Sequence, residues 1–405
     1  MFPLHYKTRR FFCRIGFALL CLAPTAGVLA WSGWLQTDGY VAAWCEEIER
    51  RTGLQAKIEA VTHPEPRVAI LEGVQLSDPR THERLLYVPR LEIAMRGSQR
   101  LLIATGPELH AQAQPTLTTL AEGCWRELEV TTIAIASSLT LHGEFGDERL
   151  KQVDVRAFCS TAGSELKCQF RLERSNAASP ARMHFIRPKD PQEQTLVEFD
   201  TGGDDLPLAL LPKHFVANGN WGGETTFQGT ARLGYDERGW QGEVRGSLRQ
   251  IDLKHAVAGN FPHRIEGQGE LWLERLQIVD SRLSEAVGAF SGGPGLIGPS
   301  LRLAAANELG FFASEVARET HGLLEYEQLA FDFKLNNEGL QLRGRCSQGA
   351  PGAVIIDDYG LLLGESRRQP ISIAALVRTL APPSESFVPA TRDAAWLLDR
   401  LPAAR

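Results

Sequence analysis

From Ile15 to Leu35 the chain runs 21 residues without a charge. A helix needs roughly 20 residues to cross a hydrocarbon core, so this run is long enough to span a bilayer. Pro24 lies near its middle, where a membrane helix tolerates proline. Lys7, Arg9, Arg10 and Arg14 precede the run, and Trp31 and Trp34 sit at its far end. Basic flanks stay cytoplasmic, and indole rings favour the membrane interface. The expectation is a single-pass anchor over residues 15–35, a cytoplasmic basic tail over residues 1–14, and everything from Gln36 onward on the outer side.

A cleavable signal peptide is the competing reading. Lys7 to Arg14 would be its basic region, and Val28, Leu29 and Ala30 its small-residue cleavage site. The apolar run continues beyond that point to Leu35, longer than a typical signal core, which favours a retained anchor. Both readings carry the bulk of the chain out of the cytoplasm.

The chain has 405 residues, and at roughly 100–200 residues per domain two or three domains follow the anchor. Net charge is −6 and the basic residues are thinly spread, so nucleic acid is not an expected partner. Of the cysteines, Cys13 and Cys21 lie in or beside the anchor. Cys45, Cys124, Cys159, Cys168 and Cys346 are widely spaced, with no zinc-ribbon or disulfide framework among them.

Asp38 to Thr52 reads as an amphipathic helix with Asp38 as its N-cap. Tyr40, Val41, Trp44, Cys45 and Ile48 form an apolar stripe, and Gly53 ends it in the left-handed conformation. The stripe is expected to pack on the β-structure that follows. From Leu54 the period switches to two. Leu91, Ile93 and Met95 alternate with polar residues, as do Ile133, Ile135 and Leu139. The same holds for Leu166, Cys168 and Phe170, for Trp240, Val244 and Leu248, for Phe331 and Phe333, and for Leu340 and Leu342. Each is a strand with one apolar and one wet face. The turns at Tyr235–Gly239 and Asn336–Gly339 join neighbours as hairpins. Short helices are expected at Leu117–Arg126, at Ser300–Phe312 and, after a Pro-rich stretch, at Thr391–Leu401. Pro191, Gly202, Gly203, Pro207 and Pro212 interrupt the alternation. The domains read as a β-module over 36–200, a glycine-rich β-module over 201–365, and a tail over 366–405.

This succession resembles the AsmA/TamB-type proteins. The likeness rests on an N-terminal anchor, one short helix ending in Gly53, and the strand pair containing Leu71-Glu-Gly-Val-Gln-Leu-Ser-Asp-Pro79. It continues through Gly219-Asn-Trp-Gly-Gly, Phe227-Gln-Gly-Thr-Ala-Arg-Leu, Gly242-Glu-Val-Arg-Gly-Ser-Leu and Ile251-Asp-Leu, and ends on Leu329-Ala-Phe-Asp-Phe-Lys-Leu and Gly339-Leu-Gln-Leu-Arg-Gly. The resemblance covers residues 10–365 as a pattern. It implies an inner-membrane anchor, a periplasmic bulk, and antiparallel sheets curled into a groove with an apolar interior. It also implies a role in moving phospholipid across the envelope, and carries no catalytic residues. This chain is much shorter than the long members, too short for one copy to bridge the whole envelope.

Other constellations have plain readings. Gly293-Pro-Gly-Leu-Ile-Gly298 matches a dinucleotide fingerprint literally. That fingerprint has meaning only inside a βαβ unit, and among antiparallel hairpins it reads as a glycine-rich turn. The ten histidines show no metal-ligand spacing. Asp204 with Asp205, and Asp357 with Asp358, are neighbours whose side chains point apart in a strand. No nucleophile elbow or phosphate loop occurs. Cys159 and Cys168 lie on apolar faces of adjacent strands, and form either a disulfide or two small buried residues, depending on register.

The sequence therefore predicts a mainly β, membrane-anchored protein that is not an enzyme and uses no cofactor or metal. Ile133, Ile135, Leu139, Phe170, Phe227, Trp240, Val244, Leu248, Phe331 and Phe333 are its expected lipid-lining residues. The expected partners are a phospholipid or other acyl-chain lipid and the membrane itself. The rival is a non-enzymatic scaffold docking on a secretion or outer-membrane machine made of envelope-complex proteins. The anchor predicts that the full-length protein stays with membranes through alkaline carbonate washing. A mature N-terminus at Trp31, found by terminal sequencing, would establish the signal peptide instead.

Overall fold

In the computed structural model, strands take 57% of the described residues and helices 20%. That helix content is below the ordinary share of roughly 30–35%, as the period-two alternation predicts. The structure describes residues 6–35, 37–110, 131–143, 146–159, 163–190, 193–208, 221–258, 261, 263–314, 319–320, 322–347, 351–367, 369–380 and 400–402. The helix expected at Leu117–Arg126 lies outside them, as does that at Thr391–Leu401 except for its last two residues.

The apolar run is helical throughout. Helix α1 (Tyr6–Phe17) passes through a π-helical turn (Ala18–Leu22) into α2 (Ala23–Trp34). Pro24 has no amide hydrogen to donate; beside it the Thr25 hydroxyl donates to the carbonyl of Cys21, one turn back, at 2.7 Å. The stretch Arg14–Trp34 is long and apolar enough to cross a membrane, and no part of it is buried against the protein.

The chain falls into two compact units, Met1–Leu141 and His142–Arg405. In unit 1, helix α3 spans Asp38–Thr52. Thr37, not Asp38, is its N-cap residue, with extended backbone. Its hydroxyl donates to the Trp34 carbonyl at 2.7 Å, and Asp38 instead places its carboxylate in the first turn, where the helix dipole favours it. Gly53 ends the helix at φ +69° and its amide donates to Glu49, the position where a residue without Cβ costs least. The stripe Tyr40, Val41, Trp44, Cys45 and Ile48 packs on Ile58, Val61, Leu71, Val74 and Val88.

The strands of unit 1 are β1 (Gln55–Lys57), β2 (Ala60–Glu65), β3 (Val68–Ser77), β4 (Arg84–Arg96), β5 (Gln99–Thr105), β6 (Glu108–His110) and β7 (Thr131–Gly143). Strands β1 and β2 both pair with β3, β3 with β4, and β4 with β5 and β6, all antiparallel; β5 and β7 run parallel.

Unit 2 is one continuous antiparallel meander. Its strands are β8 (Gly146–Cys159), β9 (Gly163–Leu172), β10 (Ala181–Pro188), β11 (Thr195–Asp200), β12 (Leu206–Pro207), β13 (Thr226–Asp236), β14 (Gly239–Asp252), β15 (Ile265–Val279) and β16 (Arg282–Ile297). Then follow β17 (Phe312–Ala313), β18 (Glu319–Thr320), β19 (Leu323–Tyr326), β20 (Gln328–Asn336), β21 (Gly339–Gly344), β22 (Ala353–Asp357) and β23 (Gly360–Gly364). Strand β11 pairs directly with β13. The expected module boundary near residues 190–220 is thus bridged by the sheet, because sheet bonds join the strands on either side of the proline-rich segment. Both expected hairpins form, with Asp236 opposite Gly239 and Asn336 opposite Gly339. The Gly293–Gly298 stretch is not a turn: most of it is the end of β16, antiparallel to β15 and β19. Strand β20 pairs with both β21 and β22, and the sheet continues through β23 to β17; on β21, Leu340 and Ile371 exchange both backbone hydrogen bonds at 2.8 and 2.7 Å.

Among the described residues unit 2 also holds three short helices, α4 (Leu253–Ala258), α5 (Pro299–Glu308) and α6 (Ile373–Leu380). Helix α5 stops four residues short of the expected Phe312, where the chain turns into β17. His263 is 3% exposed and ties α5 to α6. It accepts from the Ser300 hydroxyl (3.3 Å) and donates to the Thr379 carbonyl (2.5 Å). Replacing His263 with Ala leaves that carbonyl unpaired in the core and opens a void, a loss of about 2–4 kcal/mol. Urea unfolding of the single variant checks it: a midpoint unchanged from wild type would show the clasp to be unimportant.

Candidate functional site

Alternation alone says that every second residue of a strand shares a face; register decides which residues meet across strands. In unit 2 the apolar residues align into continuous rows. Leu206 faces Phe227, which faces Leu248, then Leu271, Phe290 and Phe331. A parallel row runs from Phe199 through Ala231, Val244, Leu276 and Ala286 to Leu335. Between them Gly246, Leu273, Gly288, Phe333 and Leu342 form a third. Rings stack within a row, Phe290 and Phe331 being 5.4 Å apart, and between rows, Phe199 and Phe227 being 6.3 Å apart.

Glycines let the large rings lie against backbone. A Cβ on Gly269 would stand 2.4 Å from the Phe290 ring, and one on Gly288 would stand 2.1 Å from the Trp272 carbonyl and 3.0 Å from the Phe333 ring. Register shifts in β14, β15 and β16 accompany them, between Val244 and Gly246, Leu248 and Ile251, and Leu273 and Arg275. Bulges and glycines are the devices by which a sheet acquires curvature.

Burial along this face is uneven. Phe170, Val197, Phe199, Phe227 and Leu233 are buried on one side, and Leu335, Leu340 and Leu342 on the other. The second group joins a core that includes Leu253, Ala305, Ile371 and Ile373. The band between, made by Val244, Leu248, Leu271, Leu276, Phe290, Phe331 and Phe333, is only half-buried, with Leu248, Leu271, Phe290, Phe331 and Phe333 packing on that core by part of their surface. All strands of unit 2 belong to the one paired series, and no separate second sheet covers this band among the described residues.

The expected lining residues divide accordingly. Phe227, Val244, Leu248, Phe331 and Phe333 are brought onto one face of unit 2, with Phe170 on the same alternation in β9. Trp240 lies at the β13–β14 hairpin end, its ring 5.2 Å from Tyr235. Ile133 and Ile135 belong to unit 1, on the face away from α3. Leu71, Leu91, Ala104 and Ala136 align beneath the helix, whereas Ile135 aligns with Ile103, and Ile133 with Leu101. Ile103 and Ile135 remain 37% and 41% exposed. Leu139 follows Ile135 by alternation in β7.

Leu271, Leu276 and Phe290 are the lining residues the sequence pattern did not mark. The bulges of β15 and β16 break their period, so only register places them.

The opposite face of unit 2 is polar and charge-balanced. Arg249 pairs with Asp205 at 2.8 Å, Arg345 with Asp332 at 2.9 Å, and Arg232 with Glu198 at 3.2 Å. An open cleft of about 490 Å³ on this side is lined by Gln228, Ser247, Glu270, Trp272 and Arg345 among others. Asp358 pairs not with its neighbour Asp357 but with Glu327, whose carboxyl is raised by that hydrogen bond and by the charge of Asp358. Among the described residues no cluster of three or more His, Cys, Asp or Glu could hold a metal.

The two cysteines are set apart by register. Cys168 faces Val155 and Met183, while Cys159 faces Ser164. Cys168 is a free thiol, so the bridge considered from sequence is replaced by a small apolar residue within a row. Burial, with a smaller contribution from Asp154, pushes its thiol up to about 12. At pH 8 only about one molecule in ten thousand then carries the reactive thiolate. Cys168 should therefore resist maleimide at pH 8 in the folded protein and label after denaturation, as read by peptide mass spectrometry; rapid native labelling would contradict its placement.

No family model, curated protein or solved structure matches this chain.

Proposed function

We propose that this protein is a membrane-anchored lipid-binding protein that holds acyl chains along the apolar face of unit 2. The observation that carries the reading is the half-buried band of Val244, Leu248, Leu271, Leu276, Phe290, Phe331 and Phe333. Contiguous apolar surface left partly open marks a binding site in a soluble unit. Its rows run across many strands, which suits a long flexible chain better than a compact polar substrate. The AsmA/TamB-like assignment, the inner-membrane location with a periplasmic bulk, and a part in phospholipid movement belong to this same proposal. They rest on the order of elements and on the apolar helix Arg14–Trp34.

A closed core and an open lipid face respond differently to a buried charge. In a closed core, Val244→Asp or Phe331→Asp buries an unpaired carboxylate at a cost of several kcal/mol, enough to unfold the unit. On an open face the carboxylate reaches water once lipid leaves, so the melting temperature should fall only slightly, while co-purified phospholipid drops several-fold. Native mass spectrometry and thermal unfolding of each full-length variant read the two quantities. Unfolding of both variants, together with a wild-type protein free of lipid but tightly bound to a protein partner, would replace this reading with the scaffold.

A further inference from the structure

The junction between the apolar helix and unit 1 is an unbroken aromatic chain. Ring centroids are 5.3 Å apart for Trp31 and Trp34, 4.8 Å for Trp34 and Tyr40, and 6.5 Å for Tyr40 and Trp44. Tyr40 also reaches the sheet: its hydroxyl is hydrogen-bonded to His63 Nε2 in β2. The other ring nitrogen of His63 lies 3.1 Å from the Val68 carbonyl. That carbonyl can only accept, so Nδ1 carries the proton and Tyr40 donates to Nε2.

His63 thereby fixes which end of the sheet lies beside the helix terminus. The turn between β2 and β3 holds Pro66 and Arg67, with Glu65 opposite Val68. The turn between β4 and β5 stands next to it, since the Met95 amide donates to the Arg67 carbonyl at 3.2 Å. At that second turn Arg96 pairs with Gln99, and Met95 with Arg100. Arg67 and Arg96 are exposed and Arg100 is half-buried. Among the described residues none of the three guanidiniums is in an ion pair, and Glu65 is the one acid in these two turns. A chain of net charge −6 thus gathers three unneutralised arginines at one sheet end, a ring contact and a hydrogen bond away from Trp34.

A helix of the length of Arg14–Trp34 rises about 31 Å, which matches the hydrocarbon thickness of roughly 30 Å. Trp34 then lies at interface depth, and the turns at Arg67 and Gly97 come within reach of lipid headgroups. We propose that this end of unit 1 docks on the anionic phospholipid surface of the membrane holding the anchor, with Arg67, Arg96 and Arg100 binding headgroup phosphates. Arginine suits that role because its planar fork meets phosphate oxygens in pairs, and basic residues beside a membrane span are attracted by anionic lipid within a Debye length. The proposal rests on Arg14–Trp34 crossing the bilayer. It does not depend on what unit 2 carries.

The test uses the full chain in nanodiscs, with a photoreactive benzophenone side chain at Ser98 and, as control, at Glu338 in the β20–β21 turn. Illumination in phosphatidylglycerol-containing discs should give a lipid adduct at 98 and little at 338, scored by mass spectrometry. The triple change Arg67→Gln, Arg96→Gln and Arg100→Gln should lower the adduct at 98 at least fivefold, and the corresponding Lys changes should largely restore it. Discs of phosphatidylcholine alone should match the Gln variant. No adduct at 98, or one unaffected by both the substitutions and the lipid charge, overturns the proposal. Circular dichroism confirms that each variant is folded, and Val244→Asp, which addresses unit 2, should leave the adduct at 98 unchanged.

Discussion

Register between neighbouring strands is the constraint on which unit 2 depends. Phe227 sits against Leu248 and Ala231 against Val244, and each pairing continues into the next strand. A slip of one residue would turn the whole set toward the charged side, because successive side chains point to opposite faces. The outer face resists the same slip through its ion pairs, such as Arg345 with Asp332. Individually these exposed pairs contribute little, so their part is in specifying alignment rather than in stability. The apolar rows supply the stability, most fully at the end where α4, α5 and α6 add to the core.

Unit 1 solves a different problem. Its sheet has two apolar faces, and α3 covers one of them with Tyr40, Val41, Trp44, Cys45 and Ile48. The other presents Ile103 and Ile135, which no helix shields among the described residues. A short aromatic path then couples the sheet to the apolar helix, so the first strands are held at a set distance from the end of that helix. Unit 1 is in this sense a collar, built where the chain leaves its apolar segment.

Much of this was legible in the sequence, for identifiable reasons. Helix α3 combines a 3.6-residue stripe with a terminal glycine, and its bounds follow from those two signals alone. The hairpins at Asp236–Gly239 and Asn336–Gly339 carry their turn residues in view. Strands β15 and β16, the longest among the described residues at 15 and 16 residues, carried no such signal. Their bulges shift the period, and Gly288, Gly292, Gly293, Pro294 and Gly295 resemble a loop by composition. Gly288 and Gly292 serve ring-to-backbone packing, which is visible only once Phe333 and Phe290 are placed on their rows. The stretch near residues 190–220 misled for the opposite reason: Pro207 sits within β12, which pairs with β13 as β11 does, so proline there does not divide the sheet. The arginine cluster was equally hidden, since Arg67, Arg96 and Arg100 are scattered along the chain and meet only through two adjacent turns.

The closure of β21 by Ile371 bears on how large an object this chain can build. A strand at the rim of a sheet is a template on which another copy can add, and such addition leads to open-ended fibres. Here the two backbone bonds between Leu340 and Ile371 occupy donor and acceptor sites on that rim, and a cap of this kind is what terminal repeats supply in stacked proteins. Over this one pair the rim of β21 is bordered by the chain itself rather than left to partners. Growth of the sheet is diverted from that rim to β22, β23 and β17, strands of the same chain.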